Sequence, residues 1–190
     1  NEFAGDSWAK DLEYFEDHNL VQKLKDGAIF KLTGGEPMVQ QKQLLKFIGA
    51  FINKYDFHPL IDFETNATIM PDEKWITLYR ATFTTSPKLT SNGDPEKKTY
   101  KPKVLKWHKD VGSGFKFVIN VSEDIDEIWR KYVEDGDINI PKSRIWFMPC
   151  SGSRVEHIEK APAVAEYAKA MNVNFSPRLH LLIWDMALKV

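Results

Sequence analysis

Residues 33–37, Thr-Gly-Gly-Glu-Pro, follow directly on an apolar run, Ala28-Ile29-Phe30-Lys31-Leu32. Paired glycines let a bound group approach main-chain amides with no Cβ in the way. A carboxylate such as Glu36 accepts charge-assisted hydrogen bonds from an ammonium, and Pro37 fixes the direction in which the chain leaves. An ordinary left-handed turn with a solvated acid would use the same residues. Further polar clusters repeat the theme. They are Glu64-Thr65-Asn66, residues 85–88 with Ser86 and Lys88, and residues 149–153 with Cys150 and Ser151; Arg178 and His180 stand near the C-terminus.

These clusters need elements to position them, and the hydrophobic pattern supplies them. Apolar residues before position 27 predict one or two helical pieces, and residues 28–32 read as a strand. Leu44, Leu45, Phe47, Ile48, Phe51 and Ile52 recur at helical spacing and predict a helix packed on one face. Strands are predicted at 59–64 and 75–83, a loop or insertion at 89–103, and a strand over Phe115–Val121. Ser122, with Glu123 and Asp124, predicts a helix start. A strand at 145–148, a helix at 156–171 and a closing strand at 179–184 complete the reading. Such alternation implies an α/β fold with βαβ units and a mainly parallel sheet. Each polar cluster falls just after a strand and before the next helix, the edge at which ligands bind in parallel α/β folds.

Composition narrows the function classes. The chain has 190 residues, 43% of them hydrophobic, and fits one domain spanning 1–190. A formal net charge of −1 exerts no global pull toward nucleic acid or an anionic membrane. Lys97, Lys98, Lys101, Lys103, Lys106 and Lys109 form one basic stretch, read as a solvated loop and helix face. No apolar run approaches the roughly 20 residues of a membrane span, and the first residues lack a signal-peptide pattern. One cysteine, Cys150, excludes an intrachain disulfide and fits a reducing compartment. It equally excludes an iron–sulfur or zinc site built mainly from this chain's thiolates. No internal repeat or low-complexity segment is present.

The motifs taken in order carry a resemblance. The Gly-Gly-Glu-Pro strand end resembles the glycine-rich motif of radical S-adenosylmethionine enzymes. "IDFETNAT" (61–68), "TTSPKL" (84–89), "FKFVINVSED" (115–124), "IWFMPCSGS" (145–153) and "NFSPRLHLLIWD" (174–185) follow in the order of one subfamily. From about residue 28 onward the chain resembles the 7-carboxy-7-deazaguanine synthases. That resemblance implies a partial, modified β/α barrel. It also implies reductive cleavage of S-adenosylmethionine at a 4Fe-4S cluster and magnesium-assisted conversion of 6-carboxy-5,6,7,8-tetrahydropterin to 7-carboxy-7-deazaguanine. An electron-donating reductase, a homodimer and a cytoplasmic location are expected on the same ground, with no membrane and no direct nucleic-acid partner.

By that analogy Gly34, Gly35, Glu36 and Pro37 hold the aminoacyl end of the cofactor, and Ser86 and Lys88 meet its carboxylate or ribose. Cys150 and Ser151 line its adenine side. Glu64, Thr65 and Asn66 face the pterin, whose donor-rich edge suits a carboxylate and an amide. Arg178 and His180 engage the substrate carboxylate. The residues also admit plainer roles: a surface lysine at 88, a strand-end turn at 64–66, a small rim residue at 150. Period-two alternation would put Arg178 and His180 on one strand face, toward solvent or a dimer partner.

The resemblance fails at one place. Family members carry three closely spaced cysteines before the Gly-Gly-Glu strand, and no such triplet occurs here. The first strand and the magnesium-side threonine are missing with it. The chain starts at Asn1 rather than methionine, so it is expected to begin partway into a longer product and to be inactive alone. Two alternatives stand: a non-catalytic binding or scaffold protein on the same fold, and a radical enzyme with another substrate.

Overall fold

Six strands follow one another in the computed structural model in sheet order as in chain order, from the first to the sixth. The structure describes residues 8–187. The elements are α1 (Trp8–Asp17), α2 (Leu20–Lys25), β1 (Ile29–Leu32), α3 (Gln41–Tyr55), β2 (Leu60–Thr65), α4 (Lys74–Thr77) and β3 (Thr82–Thr85). They continue with α5 (Glu96–Thr99), α6 (Pro102–Asp110), β4 (Gly114–Ile119), α7 (Glu123–Ile128), β5 (Ile145–Pro149), α8 (Arg154–Met171), β6 (Asn174–Phe175) and α9 (Leu179–Trp184). The pairings of β1 with β2, β3 with β4, β4 with β5 and β5 with β6 are all parallel. The strand order is open rather than circular, as in the partial barrel expected from the sequence.

The chain divides into two compact units, one of Asn1–Thr65 with Ile69–Phe83, the other of Asn66–Thr68 with Thr84–Val190. In the first, α3 buries the stripe read from its spacing: Phe47, Ile48 and Phe51 are fully enclosed. Burial of side chains this size stabilises by about 1.5–3 kcal/mol each. Phe63 of β2 stacks on Phe83 at 5.3 Å and meets Trp75 edge-on at 4.7 Å. Lys31 lies opposite Asp62 in the β1–β2 register, and their side chains pair at 2.6 Å.

In the second unit, burial alternates along β4 and β5. Phe115, Phe117, Ile145 and Phe147 are enclosed, while Lys116, Val118, Trp146 and Met148 are half-exposed. Leu105 of α6, Ile128 of α7 and Val164 and Ala168 of α8 complete the core on the enclosed face. Each strand thus has one packed face and one partly open face, and its carboxyl end opens into a loop.

Three expectations need correction. The strand read at 75–83 is a helical turn, α4, followed by a strand that begins only at Thr82. The Asp72 carboxylate accepts from Lys74 N at 2.9 Å and starts that turn, and Arg80 at φ 49° resets the chain before β3. The loop read at 89–103 holds a 3-10 turn at Thr90–Asn92, the short helix α5 and the start of α6, with Pro102 in that helix's first turn. The helix start predicted at Ser122 stands, since α7 begins at Glu123, but Ser122 contributes no side-chain cap. The Asp124 carboxylate instead accepts from Asn120 N and Val121 N at 2.7 and 3.0 Å. The closing strand read at 179–184 is the helix α9, and the true last strand is the two-residue β6. An apolar run this short has no decisive period, and packing of Leu181 alone, 5% exposed, suits one helical face.

Candidate functional site

In the first unit, Gly34 and Gly35 adopt φ 93° and 55°. No atom lies within 4 Å of a Cβ built on either residue, so backbone conformation rather than crowding calls for glycine here. The turn delivers Glu36 to the head of a 3-10 turn, Pro37–Gln40, where its Oε1 accepts from Met38 N at 3.0 Å. The same oxygen accepts from the Thr65 hydroxyl at 2.8 Å. Thr65 is the last residue of β2, and Glu36 lies four residues past the end of its parallel neighbour β1, so the Gly34–Gly35 turn together with the strand register brings these two predicted residues together. Thr65 is 2% exposed and acts here as an orienting donor. Glu64, the alternate residue, is half-buried. Gln41, which carried no signal in sequence, ties the loop after β2 to α3: its Nε2 donates to Met70 O at 3.1 Å and its Oε1 accepts from Asp72 N at 2.7 Å.

In the second unit, Asn66 closes a tight turn, its Oδ1 accepting from Thr68 N at 3.0 Å and from the Thr68 hydroxyl at 2.6 Å. A pocket of about 270 Å³ opens at the carboxyl ends of β4 and β5. Lys88, Cys150 and Arg178, all singled out in the sequence, line it together with Asn92, Asn120, Val118 and Leu89. Ser86 is half-buried and outside the lining, Ser151 is buried behind it, and His180 is exposed on α9. Because α9 is a helix, Arg178 and His180 do not share a strand face. Asn120 was missed, although it follows the last residue of β4, the same strand-end position that marked the other clusters.

The pocket walls are held from outside. Asp124 accepts from Asn120 N, and Glu127 Oε2 accepts from Thr90 N at 3.0 Å, fixing the Thr90–Asn92 turn. Burial alone would raise the Glu127 pKa, but the Lys131 and Thr90 hydrogen bonds carry it below its ordinary value. Arg178 Nη1 donates to Ser151 O at 3.0 Å, and Ser151 Oγ lies 3.0 Å from His157 Nδ1. Lys88 and Arg178 make the lining cationic, with the amides of Asn92 and Asn120 beside them. Such a lining favours a ligand that offers an anionic or lone-pair-rich group. A second cavity, about 420 Å³, lies in the first unit at the amino end of β2, between His58, Leu60, Leu78 and Arg80. It is larger, but none of the predicted site residues reaches it.

Among the described residues no group of three or more His, Cys, Asp or Glu side chains is placed to hold a metal ion. No described helix is long and apolar enough to cross a membrane. Against curated proteins, the chain is 27% identical over 161 residues to 7-carboxy-7-deazaguanine synthase of Pyrobaculum aerophilum, covering 82% of this chain and 65% of that protein. It is 28% identical over 170 residues to the enzyme of the same name from Hyperthermus butylicus, covering 86% and 69%. The chain is a homologue of the 7-carboxy-7-deazaguanine synthases. It spans about two thirds of the length of these two synthases. No protein-family model matches it, and no solved structure is significantly similar.

Proposed function

We propose that this chain is the substrate- and cofactor-binding part of a radical S-adenosylmethionine enzyme that makes 7-carboxy-7-deazaguanine from 6-carboxy-5,6,7,8-tetrahydropterin. The observation that carries the reading is the similarity to two synthases over more than four fifths of the chain. Ligand-type residues at successive strand ends support it.

Taken unit by unit, the residues present carry chemistry that suits parts of S-adenosylmethionine. The Gly34–Gly35 turn and the oriented Glu36 carboxylate suit an ammonium-bearing aminoacyl end. Lys88 suits a carboxylate; Arg178, expected from the sequence at the substrate's carboxylate, is assigned here to the cofactor because it lines the same pocket as Lys88, and Asn92 and Asn120 suit hydroxyl and ring-nitrogen groups. When bound, and given an electron that this chain's residues do not supply, that cofactor would furnish the radical that abstracts hydrogen from the substrate. Glu64 and Asn66 are assigned to the pterin edge, with Thr65 orienting Glu36. His180 has no place at this lining. The residues do not fit a 4Fe-4S cluster, because one cysteine stands against the three thiolates needed. No step through a cluster, and no magnesium ligand, is assigned to this chain.

The test is to express the chain with its native upstream sequence, reconstitute iron and sulfide anaerobically, and assay for 5′-deoxyadenosine and the deazaguanine acid. Both products are expected. Absence of cofactor cleavage in properly reconstituted protein would sink the reading in favour of a non-catalytic binding protein. Cleavage with a different preferred substrate would keep the chemistry and reject the pterin.

A further inference from the structure

Arg178 reaches the second unit's pocket with its guanidinium fastened from behind. Nη1 donates to the carbonyl of Ser151, a residue only 4% exposed, and Nε is buried with no hydrogen-bond partner among the described residues. Ser151 is itself held by α8: its Oγ lies 3.0 Å from Nδ1 of His157, which is 1% exposed. The adjoining peptides are tied to the same helix. Glu156 Oε2 accepts from Gly152 N at 2.7 Å, and Lys160 Nζ donates to Cys150 O at 2.9 Å. Side chains from the first two turns of α8 therefore hold the main chain at Cys150 and Gly152 and the Ser151 side chain between them.

We propose that His157 is the positioning residue of this pocket: through Nδ1 it fixes Ser151, and through the Ser151 carbonyl it sets the Arg178 guanidinium for an anionic ligand group. The inference rests on the adenosyl-ligand reading of the pocket given above.

A serine hydroxyl can pair with a neutral imidazole of either tautomer, so the surroundings of Nε2 decide which one is present. A neutral imidazole has one N–H, and placing it on Nδ1 satisfies Ser151 Oγ. His157 Nε2, buried and without a partner among the described residues, is then a bare acceptor rather than an orphaned donor, the less costly of the two. Burial pushes the His157 pKa down, and Arg178 and His180 add to that shift, so the neutral form is the one the fold selects. A hydrophobic residue of similar bulk would fill the space and leave Ser151 free to turn.

Position of the donor separates positioning from packing. His157→Asn keeps a nitrogen donor at the δ position, His157→Gln carries its donor one bond further, and His157→Leu keeps bulk alone. Two readouts are followed in these variants: the 15N signal of the Arg178 Nε–H, assigned by its loss in Arg178→Lys, and calorimetric titration with S-adenosylhomocysteine. Wild type and His157→Asn are expected to show a slowly exchanging Arg178 signal and similar affinities. His157→Gln and His157→Leu are expected to lose that protection and to bind about tenfold more weakly, the scale of one positioned hydrogen bond.

An unchanged Arg178 signal in the glutamine and leucine variants overturns the proposal. Loss in all three variants, asparagine included, makes position 157 a packing site and overturns it too. If leucine prevents folding, the asparagine–glutamine contrast decides alone. If the signal moves as expected but wild type binds no S-adenosylhomocysteine, the positioning role stands and the adenosyl reading of the pocket falls.

Discussion

A single oxygen, Oε1 of Glu36, takes both the Met38 amide and the Thr65 hydroxyl. Thr65→Val removes the hydroxyl but keeps the shape, so unfolding free energy should fall by about 1 kcal/mol. Affinity for an aminoacyl-bearing ligand should fall as well, because Glu36 loses its orienting donor. Urea titration and calorimetry on the same samples check both, and unchanged binding would remove Glu36 from the ligand set. The glycines ahead of it make a cleaner test of conformation. At φ 55° with open space around its Cβ position, Gly35→Ala should cost about 1–2 kcal/mol through backbone strain alone. At this scale the sequence was informative about residue type and silent about partners. It marked Glu36 as a ligand acid, but the pairing with Thr65 depends on the β1–β2 register, which no local pattern encodes. Ser151 was read as a lining residue and proved to be buried behind the wall, because the side chain after a strand end can turn either way.

Strand identity was legible where apolar residues alternate or run together over five or more positions, as along β2, β4 and β5, and where α3 keeps its stripe. It was lost where a short apolar stretch satisfies both periods. Trp75 and Ile76 belong to a helical turn started by Asp72, and Leu179 to Trp184 form a helix after Pro177. In both, the deciding signal was punctuation rather than hydrophobicity: an aspartate two residues before the turn, a proline two residues before the helix. Packing between elements was not legible at all, and Gly114 is an instance. A Cβ built there would lie 3.0 Å from the Trp146 ring, so β4 and β5 pack with no side chain at this place. Gly114→Ala must displace that indole, at a cost of about 1–3 kcal/mol. A smaller ring-free residue at the neighbouring site relieves it: the double variant Gly114→Ala, Trp146→Leu should lose less than the sum of the single losses. Strict additivity in urea unfolding would show that the contact carries no constraint.

The whole molecule's response to acid follows from histidines it buries neutral. Burial pushes the His108 pKa down to about 3, against 6.5 for an exposed histidine, and its Nδ1 lies 3.1 Å from the Ser113 hydroxyl. His157 is shifted the same way by burial, then by Arg178 and His180. Between these folded and unfolded values the unfolded chain binds more protons than the native one, so stability rises with pH there and is lost as pH falls below about 6.5. Carboxylates act lower. Hydrogen bonds from Lys160 and Gly152 N hold Glu156 below 4.5, and those from Lys106 and Lys109 hold Asp110 below 3.8. Their stabilising contribution is complete above the ordinary carboxylate values and disappears only on further acidification. The window from about pH 6.5 to 5 therefore reports the histidines. Unfolding free energy should decline across it by roughly 2 kcal/mol for His108, at about 1.4 kcal/mol per pH unit, with a smaller share from His157. His108→Asn keeps a δ nitrogen toward Ser113 and cannot protonate. It should be less stable at pH 7 through lost packing, yet its stability should hold nearly level to pH 5 before joining the wild-type fall. A wild-type curve already level between pH 6.5 and 5 would mean that the imidazole of His108 reaches water or an acid in the native state, and the enclosed core beneath α6 would need to be redrawn.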